Sequence, residues 1–378
     1  MNIILTVEEL IRIVLALGCA ALLSFILTPA VSVLAHKIGA IDVPKDDRRM
    51  HNHPIPLIGG LAVYGGIVFS TLAFGYFDHT TVAVLFGGLL IVAVGVLDDV
   101  FDVKPYVKLI VQLAAALVAV WQGVRIPWIN FFGHYIELGM WSIPITVIWI
   151  IGLSNAINLI DGLDGLSCGI SAICSFSLLL ITIVSGSPIT AVFLCAVITG
   201  ACFGFLPFNS SPAKIFIGDT GALFLGYALA VISVDGVFKL HAVLIFIIPV
   251  IVFGLPLFDT FFAIFRRLKN GQAPWHADHG HIHHRLIAMG FDHKQAVRIL
   301  YAVCATLGLS AVLLTVENGE GWRAVIVIGA AVAIFIIDFL IIRNPDLRRK
   351  GGFEEKKIVS AEEKTENKNN GENETETK

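Results

Sequence analysis

Six aspartates stand at the ends of apolar runs: Asp98, Asp99 and Asp102 in LDDVFD, Asp161 and Asp164 in NAINLIDGLDG, and Asp219 in FIGDTG. A lone aspartate at a bilayer centre costs about 2.5–3.5 kcal/mol on insertion scales, so six of them need an interface and a cation to gather around. Hard carboxylate oxygens suit Mg²⁺, for which Mn²⁺ can substitute, and such a site takes a phosphorylated substrate. At helical spacing Asp102 shares a face with both Asp98 and Asp99. Like charges so close resist joint ionisation unless a cation intervenes. Lys104 and Lys108 follow at once and can neutralise part of the charge or hold a phosphate. The bland reading of these aspartates is a solvated helix end.

Three further segments carry polar groups that a connection does not require. Asn155, Asn158, Asp161 and Asp164 recur every three residues, so successive members are neighbours on a helix. Gly162 and Gly165 are expected to break that helix and let backbone approach a ligand. Interhelical polar glue is the rival reading. From Asn209, NSSPAKIFIGDTG leads into an apolar run, where Asp219 or Thr220 is placed to cap the helix. The same start offers free N–H groups to phosphate, and metal ligation by Asp219 is compatible with either role. The densest histidine stretch, HADHGHIHHR, contains His281, His283 and His284, with Arg266, Arg267 and Lys269 shortly before it. Zinc is the obvious rival there, but no cysteine lies near, and the basic surface suits a phosphate or sugar nucleotide better. Arg48, Arg49 and His51 add positive charge to an earlier loop, which alone is weak evidence because basic inner loops are normal.

The elements that must position these groups are membrane helices. Of 378 residues 56% are hydrophobic and 15% charged, far from a soluble balance. Apolar runs fall near 9–35, 57–76, 80–97, 107–123, 141–157, 163–184, 189–207, 220–236, 242–264, 295–315 and 323–342, each about the length that spans hydrocarbon. This predicts an all-α polytopic protein of about eleven transmembrane helices. With the N-terminus outside and the C-terminus cytoplasmic, all of the 26 basic residues but Arg12, Arg125, Lys239 and Arg323 fall inside. Every polar segment above then faces the cytoplasm. The first span has no cleavage signal and is expected to be retained. Residues 1–345 form the membrane domain; 346–378 read as a disordered charged cytoplasmic tail. The six cysteines read as small buried apolar residues without a disulfide framework. No soluble domain, fixed-period repeat or nucleic-acid motif is present.

In this order, RRMHNHPIPLIGG, LDDVFD with Lys108, NAINLIDGLDG, FNSSPAKIFIGDTG, FDTFFAIFRR and HIHHRL resemble the polyprenyl-phosphate N-acetylhexosamine-1-phosphate transferases. The resemblance runs from about Arg48 to Val297, and HIHH resembles the branch that starts teichoic acid, O-antigen or common-antigen glycans. His279 departs from that branch, which carries Arg or Lys there. The resemblance implies a bacterial cytoplasmic-membrane enzyme with its active site facing the cytoplasm. It would transfer GlcNAc-1-phosphate from UDP-GlcNAc to undecaprenyl phosphate and release UMP. It implies Asp219 on Mg²⁺, with Asp98 and Asp99 at the metal and the acceptor phosphate, and Lys108 holding phosphate. Asn158, Asp161 and Asp164 would shape the nucleotide pocket, and His281, His283 and His284 would meet the sugar nucleotide. Arg48, His51, Asp102, Asn155, Asn209, Arg266 and Arg267 complete the expected substrate contacts. The lipid bilayer and the two substrates are the expected partners, with room for a homodimer. Rival functions are phospho-MurNAc-pentapeptide transfer, an intramembrane Mg-dependent prenyltransferase with a second DDxxD-like motif, and a transporter with charges near mid-span.

Overall fold

The computed structural model describes residues 5–43, 54–131, 134–238, 247–269, 271 and 280–315. Helix α1 (Val7–Ile38) opens with a reciprocal capping box, Glu9 N donating to Thr6 Oγ1 and Thr6 N donating to Glu9 Oε2. It stops at Gly39 in the left-handed region. Strands β1 (Ile41–Asp42) and β2 (Ile55–Pro56) pair antiparallel. Helix α2 (Gly60–Phe74) is followed by α3 (His79–Phe101), which contains a π-helical stretch at Ala83–Gly87. After α4 (Pro105–Trp121) comes a hairpin of β3 (Trp128–Phe131) and β4 (His134–Glu137). Next stand α5 (Ser142–Leu159), α6 (Leu166–Val184), α7 (Ile189–Asn209) and α8 (Gly218–Gly236). The described chain closes with α9 (Ile247–Val252), α10 (Gly254–Lys269), α11 (Ile282–Ala288) and α12 (His293–Thr315).

Helix α8 is the axis of the bundle. Every residue from Thr220 to Gly236 is buried, as an apolar-all-round sequence requires. It packs against α3 and α5, and more lightly against α2, α6 and α7. At its middle the Tyr227 hydroxyl donates to Ala83 O in the π-helical stretch of α3. Helices α3 and α8 touch at Gly95, where an added Cβ would lie 2.4 Å from Thr220 Cα. That approach sets the last turn of α3, with Asp98 and Asp99, over the first turn of α8, with Asp219. The β1–β2 side fixes the same end: Phe216 N donates to Pro56 O, and Gly60 N donates to Ile217 O. Leu22, Phe25 and Ile26 of α1 point outward, as lipid-facing side chains do.

Among the described residues, six helices are long and apolar enough to cross a membrane: α1, α3, α6, α7, α12 and Gly139–Leu159, which contains α5. Helices α2 and α4 are apolar but shorter. Within the run expected at 242–264, α9 gives way to α10 at the single residue Phe253. The hairpin of β3 and β4 was not expected, and it occupies the aromatic connection between α4 and α5. The run at 323–342 and the tail 346–378 lie outside the described residues. All six cysteines are free, and all but Cys19 are buried.

Candidate active site

Four helix ends meet at one point. Asp98 and Asp99 close α3, Lys108 lies in the first turn of α4, Asn158 in the last turn of α5, and Asp219 in the first turn of α8. Oxygens of Asp98, Asp99 and Asp219 lie within 4.8 Å of one another. Lys108 Nζ donates to Asp98 Oδ2 at 3.0 Å and to Asp219 Oδ2 at 2.9 Å, tying the two carboxylates together. Asn158 Nδ2 donates to Asp219 Oδ1 at 2.9 Å. Three hard anionic ligands at this separation could hold a metal ion.

Asp99 has a second task. It accepts from Asp219 N and from both the backbone N–H and the hydroxyl of Thr220. It therefore caps α8 from a neighbouring helix, and neither Asp219 nor Thr220 caps it. The expectation that free N–H groups there await a phosphate is corrected: Asp99 already occupies those of Asp219 and Thr220. The shared helical face of Asp102 is corrected too. Helix α3 ends at Phe101, and Asp102 turns into the left-handed region at φ 53°, exposed. Its N–H still donates to Asp98 O, but its side chain is no part of the cavity wall.

The cluster opens into a cavity of about 720 Å³, ample for a nucleotide-sized ligand. Asp99, Asn158, Asp161, Asp164, Asn209, Asp219, His284 and His293 are among the residues that line it. The helical stripe of four polar residues divides in two. Helix α5 ends at Leu159, so Asp161 and Asp164 stand on the turn before α6. Asp161 accepts from Ser167 Oγ at 2.6 Å, and Asp164 accepts from Ala213 N at 3.0 Å. Burial pushes the Asp161 carboxyl up to about 7, Ser167 pulling back while Asp219 and Asp164 push the same way. Asn155 faces elsewhere. It exchanges hydrogen bonds with Gln112 of α4, the interhelical glue weighed against a binding role. Asn209 is buried with Nδ2 donating to Ile215 O, while its Oδ1 has no partner.

The histidines are spread over three environments. His281 Nδ1 lies 2.8 Å from Asp259 Oδ2. His283 packs on the α5–α6 turn, where a Cβ on Gly162 would lie 2.2 Å from its Nε2. So the glycine admits a histidine of the same chain. Burial drives the His283 imidazole down to about 3, and His284, His281 and His293 push the same way against Asp259. His284 alone of the three lines the cavity. Arg266 and Arg267 occupy the last turn of α10 and are absent from the cavity lining. Arg48, His51 and His279 lie outside the described residues. Two residues escaped the sequence reading. His293 lines the cavity without a motif to mark it, whereas Asp259 was visible as a lone acid in an apolar run.

The fold and site define a helical membrane protein with an acidic, potentially metal-holding centre where helix ends converge. Residues 81–237 match the sequence model of Glycosyl transferase family 4. The chain is 40% identical over 338 residues to a "Probable undecaprenyl-phosphate N-acetylglucosaminyl 1-phosphate transferase" of Bacillus subtilis, covering 89% of this chain and 91% of the relative. It is 34% identical over 363 residues to a "Decaprenyl-phosphate N-acetylglucosaminephosphotransferase" of Mycolicibacterium smegmatis, with 87% of each chain covered. An Escherichia coli K12 "Undecaprenyl-phosphate alpha-N-acetylglucosaminyl 1-phosphate transferase" is 30% identical over 295 residues, 74% of this chain and 78% of its own length. The chain belongs to this family of polyprenyl-phosphate N-acetylglucosamine-1-phosphate transferases.

Proposed function

We propose that the protein transfers GlcNAc-1-phosphate from UDP-GlcNAc to undecaprenyl phosphate, giving undecaprenyl-PP-GlcNAc and UMP. The observation that carries the reading is the Asp98–Lys108–Asp219 bridge, with Asp99 beside it, where Asp99 and Asp219 line a nucleotide-sized cavity. An oxygen of the lipid phosphate attacks the β-phosphorus of the donor; one phosphoanhydride bond forms as the bond to UMP breaks. Such chemistry is positioning and charge neutralisation. Asp98, Asp99 and Asp219 would hold Mg²⁺, or Mn²⁺ in its place, which when bound supplies positive charge to the phosphates. Lys108 holds phosphate, and Asp98 or Asp99 orients the acceptor. Asp161, Asp164, Asn158 and Asn209 shape the nucleotide pocket, with His284 and its neighbours on the sugar nucleotide.

The reading includes an orientation: eleven spans, N-terminus outside, tail inside, and the site on the cytoplasmic face of a bacterial inner membrane, where UDP-sugars are made. A reporter fused after Lys378 should then be active only in its cytoplasmic form, and sedimentation in detergent tests for a homodimer. The product would start a surface glycan such as teichoic acid or O-antigen. Purified protein given UDP-GlcNAc, undecaprenyl phosphate and Mg²⁺ should release UMP. Full turnover in excess EDTA, or a preference for UDP-MurNAc-pentapeptide in competition, would overturn the assignment.

A further inference from the structure

We propose that Asp259 is a positioning residue for the transfer reaction and acts through His281; the proposal rests on the transfer reading above. Asp259 sits in α10 and is 3% exposed. A carboxylate so placed is costly unless its hydrogen bonds are made. Both of its oxygens are engaged by the start of the histidine segment: Oδ2 by His281 Nδ1 at 2.8 Å, Oδ1 by Ile282 N at 2.9 Å. An ionised carboxylate can only accept, so in this pair Nδ1 carries the proton and Nε2 is the ring's second, variable nitrogen.

The orientation is transmitted by contact. The His281 ring lies parallel to that of His283, 5.8 Å between centroids at 7°. The ring of His283 lies 4.2 Å from that of His284, which lines the cavity. On the other side, Gly280 lies against the Arg266 guanidinium, where a Cβ would come within 2.3 Å of Cζ. Helix α10 therefore grips the segment at two points just before it reaches the site. A staple that merely joined α10 to α11 would need only the Ile282 N–H; the second oxygen is spent on the imidazole.

The test is a double-mutant cycle on UMP release by the purified full-length protein. Asp259→Asn and His281→Ala should each lower kcat by about tenfold to a hundredfold, the range known for outer partners that fix the ring of a metal-bound histidine and taken here for a ring fixed in the same way. The double variant should be no slower than His281→Ala, within twofold. Multiplying losses, or a wild-type kcat in Asp259→Asn, would overturn the proposal. Asp259→Glu keeps the charge but moves the carboxyl by one methylene. It guards against a misfolded Asn variant, should lower kcat with the thermal midpoint retained, and overturns the proposal if kcat is unchanged. Hydrogen exchange across 281–288 needs no turnover: faster exchange in the Asp259 variants supports the grip, and unchanged exchange refutes it. Absence of UMP release from the wild type would instead sink the transfer reading, leaving the exchange result to decide the contact.

Discussion

Replacing Lys108 with Met removes one positive charge and keeps most of the apolar stem. The ammonium lies 3.0 Å from Asp98 Oδ2 and 2.9 Å from Asp219 Oδ2. At an effective dielectric of about 20, each contact carries about 5–6 kcal/mol of gross attraction. The two carboxylates, left facing each other within 4.8 Å, then repel by about 3.5 kcal/mol on the same scale. The three side chains are 23%, 12% and 25% exposed, so solvent reduces the net effect to about 1–3 kcal/mol. In EDTA the thermal midpoint of the variant should fall. A divalent cation competes with the ammonium for the same oxygens, so Mn²⁺ binding, followed by electron paramagnetic resonance, should tighten at least about tenfold, equivalent to 1.4 kcal/mol. UMP release should nonetheless drop at saturating Mg²⁺, because the phosphates lose a counter-charge. Metal binding that is unchanged or weaker in Lys108→Met would refute the electrostatic reasoning.

Asp219→Asn should abolish transfer with little change in thermal midpoint. Asp99→Ala should lose both, by about 1–2 kcal/mol of stability, because it uncaps α8. Gln112→Leu or Asn155→Leu alone should cost about 1–3 kcal/mol by orphaning a buried amide, and the double change should recover most of it, as read from thermal midpoints. His283 is held neutral to about pH 3, so the unfolded chain takes up its proton first as pH falls below 6.5. Stability is then lost on acidification, by about 1.4 kcal/mol at pH 5.5, and His283→Gln should show a correspondingly smaller drop in midpoint between pH 7.5 and 5.5.

Membrane helices and their polar ends were legible because apolar length and charge placement are written along the chain. Helical periodicity could bring Asn155 and Asn158 onto one helix, yet it could not tell which neighbour each would meet. Asn158 reaches Asp219, whereas Asn155 meets Gln112, a residue no motif marked. Asp102 was misplaced because spacing of three and four means a shared face only while the helix lasts, and α3 stops one residue short. The interruption after Val252 had its signals in the sequence, Pro249, Gly254 and Pro256, but the apolar length of the run outweighed them in the span assignment. His293 has no local signal, since it reaches the cavity from a helix that begins far along the chain from the aspartates.

The charges at the helix ends explain why a lysine and a divalent cation are both needed. Three aspartates bring three negative charges, and Asp99 spends its own on the N-terminus of α8, worth roughly half a positive charge. Lys108 offsets one more, shared between Asp98 and Asp219. The remainder is still negative and would repel an incoming phosphate. A divalent cation on the same oxygens brings the formal sum of carboxylates, ammonium and ion to zero, and the helix end tips the balance slightly positive. Two phosphorylated substrates can then meet at one point without net repulsion from the protein. Loss of either the ammonium or the ion returns the site to negative charge. The cap that positions Asp219 also denies the phosphates two N–H groups of α8, which leaves their neutralisation to Lys108 and the metal.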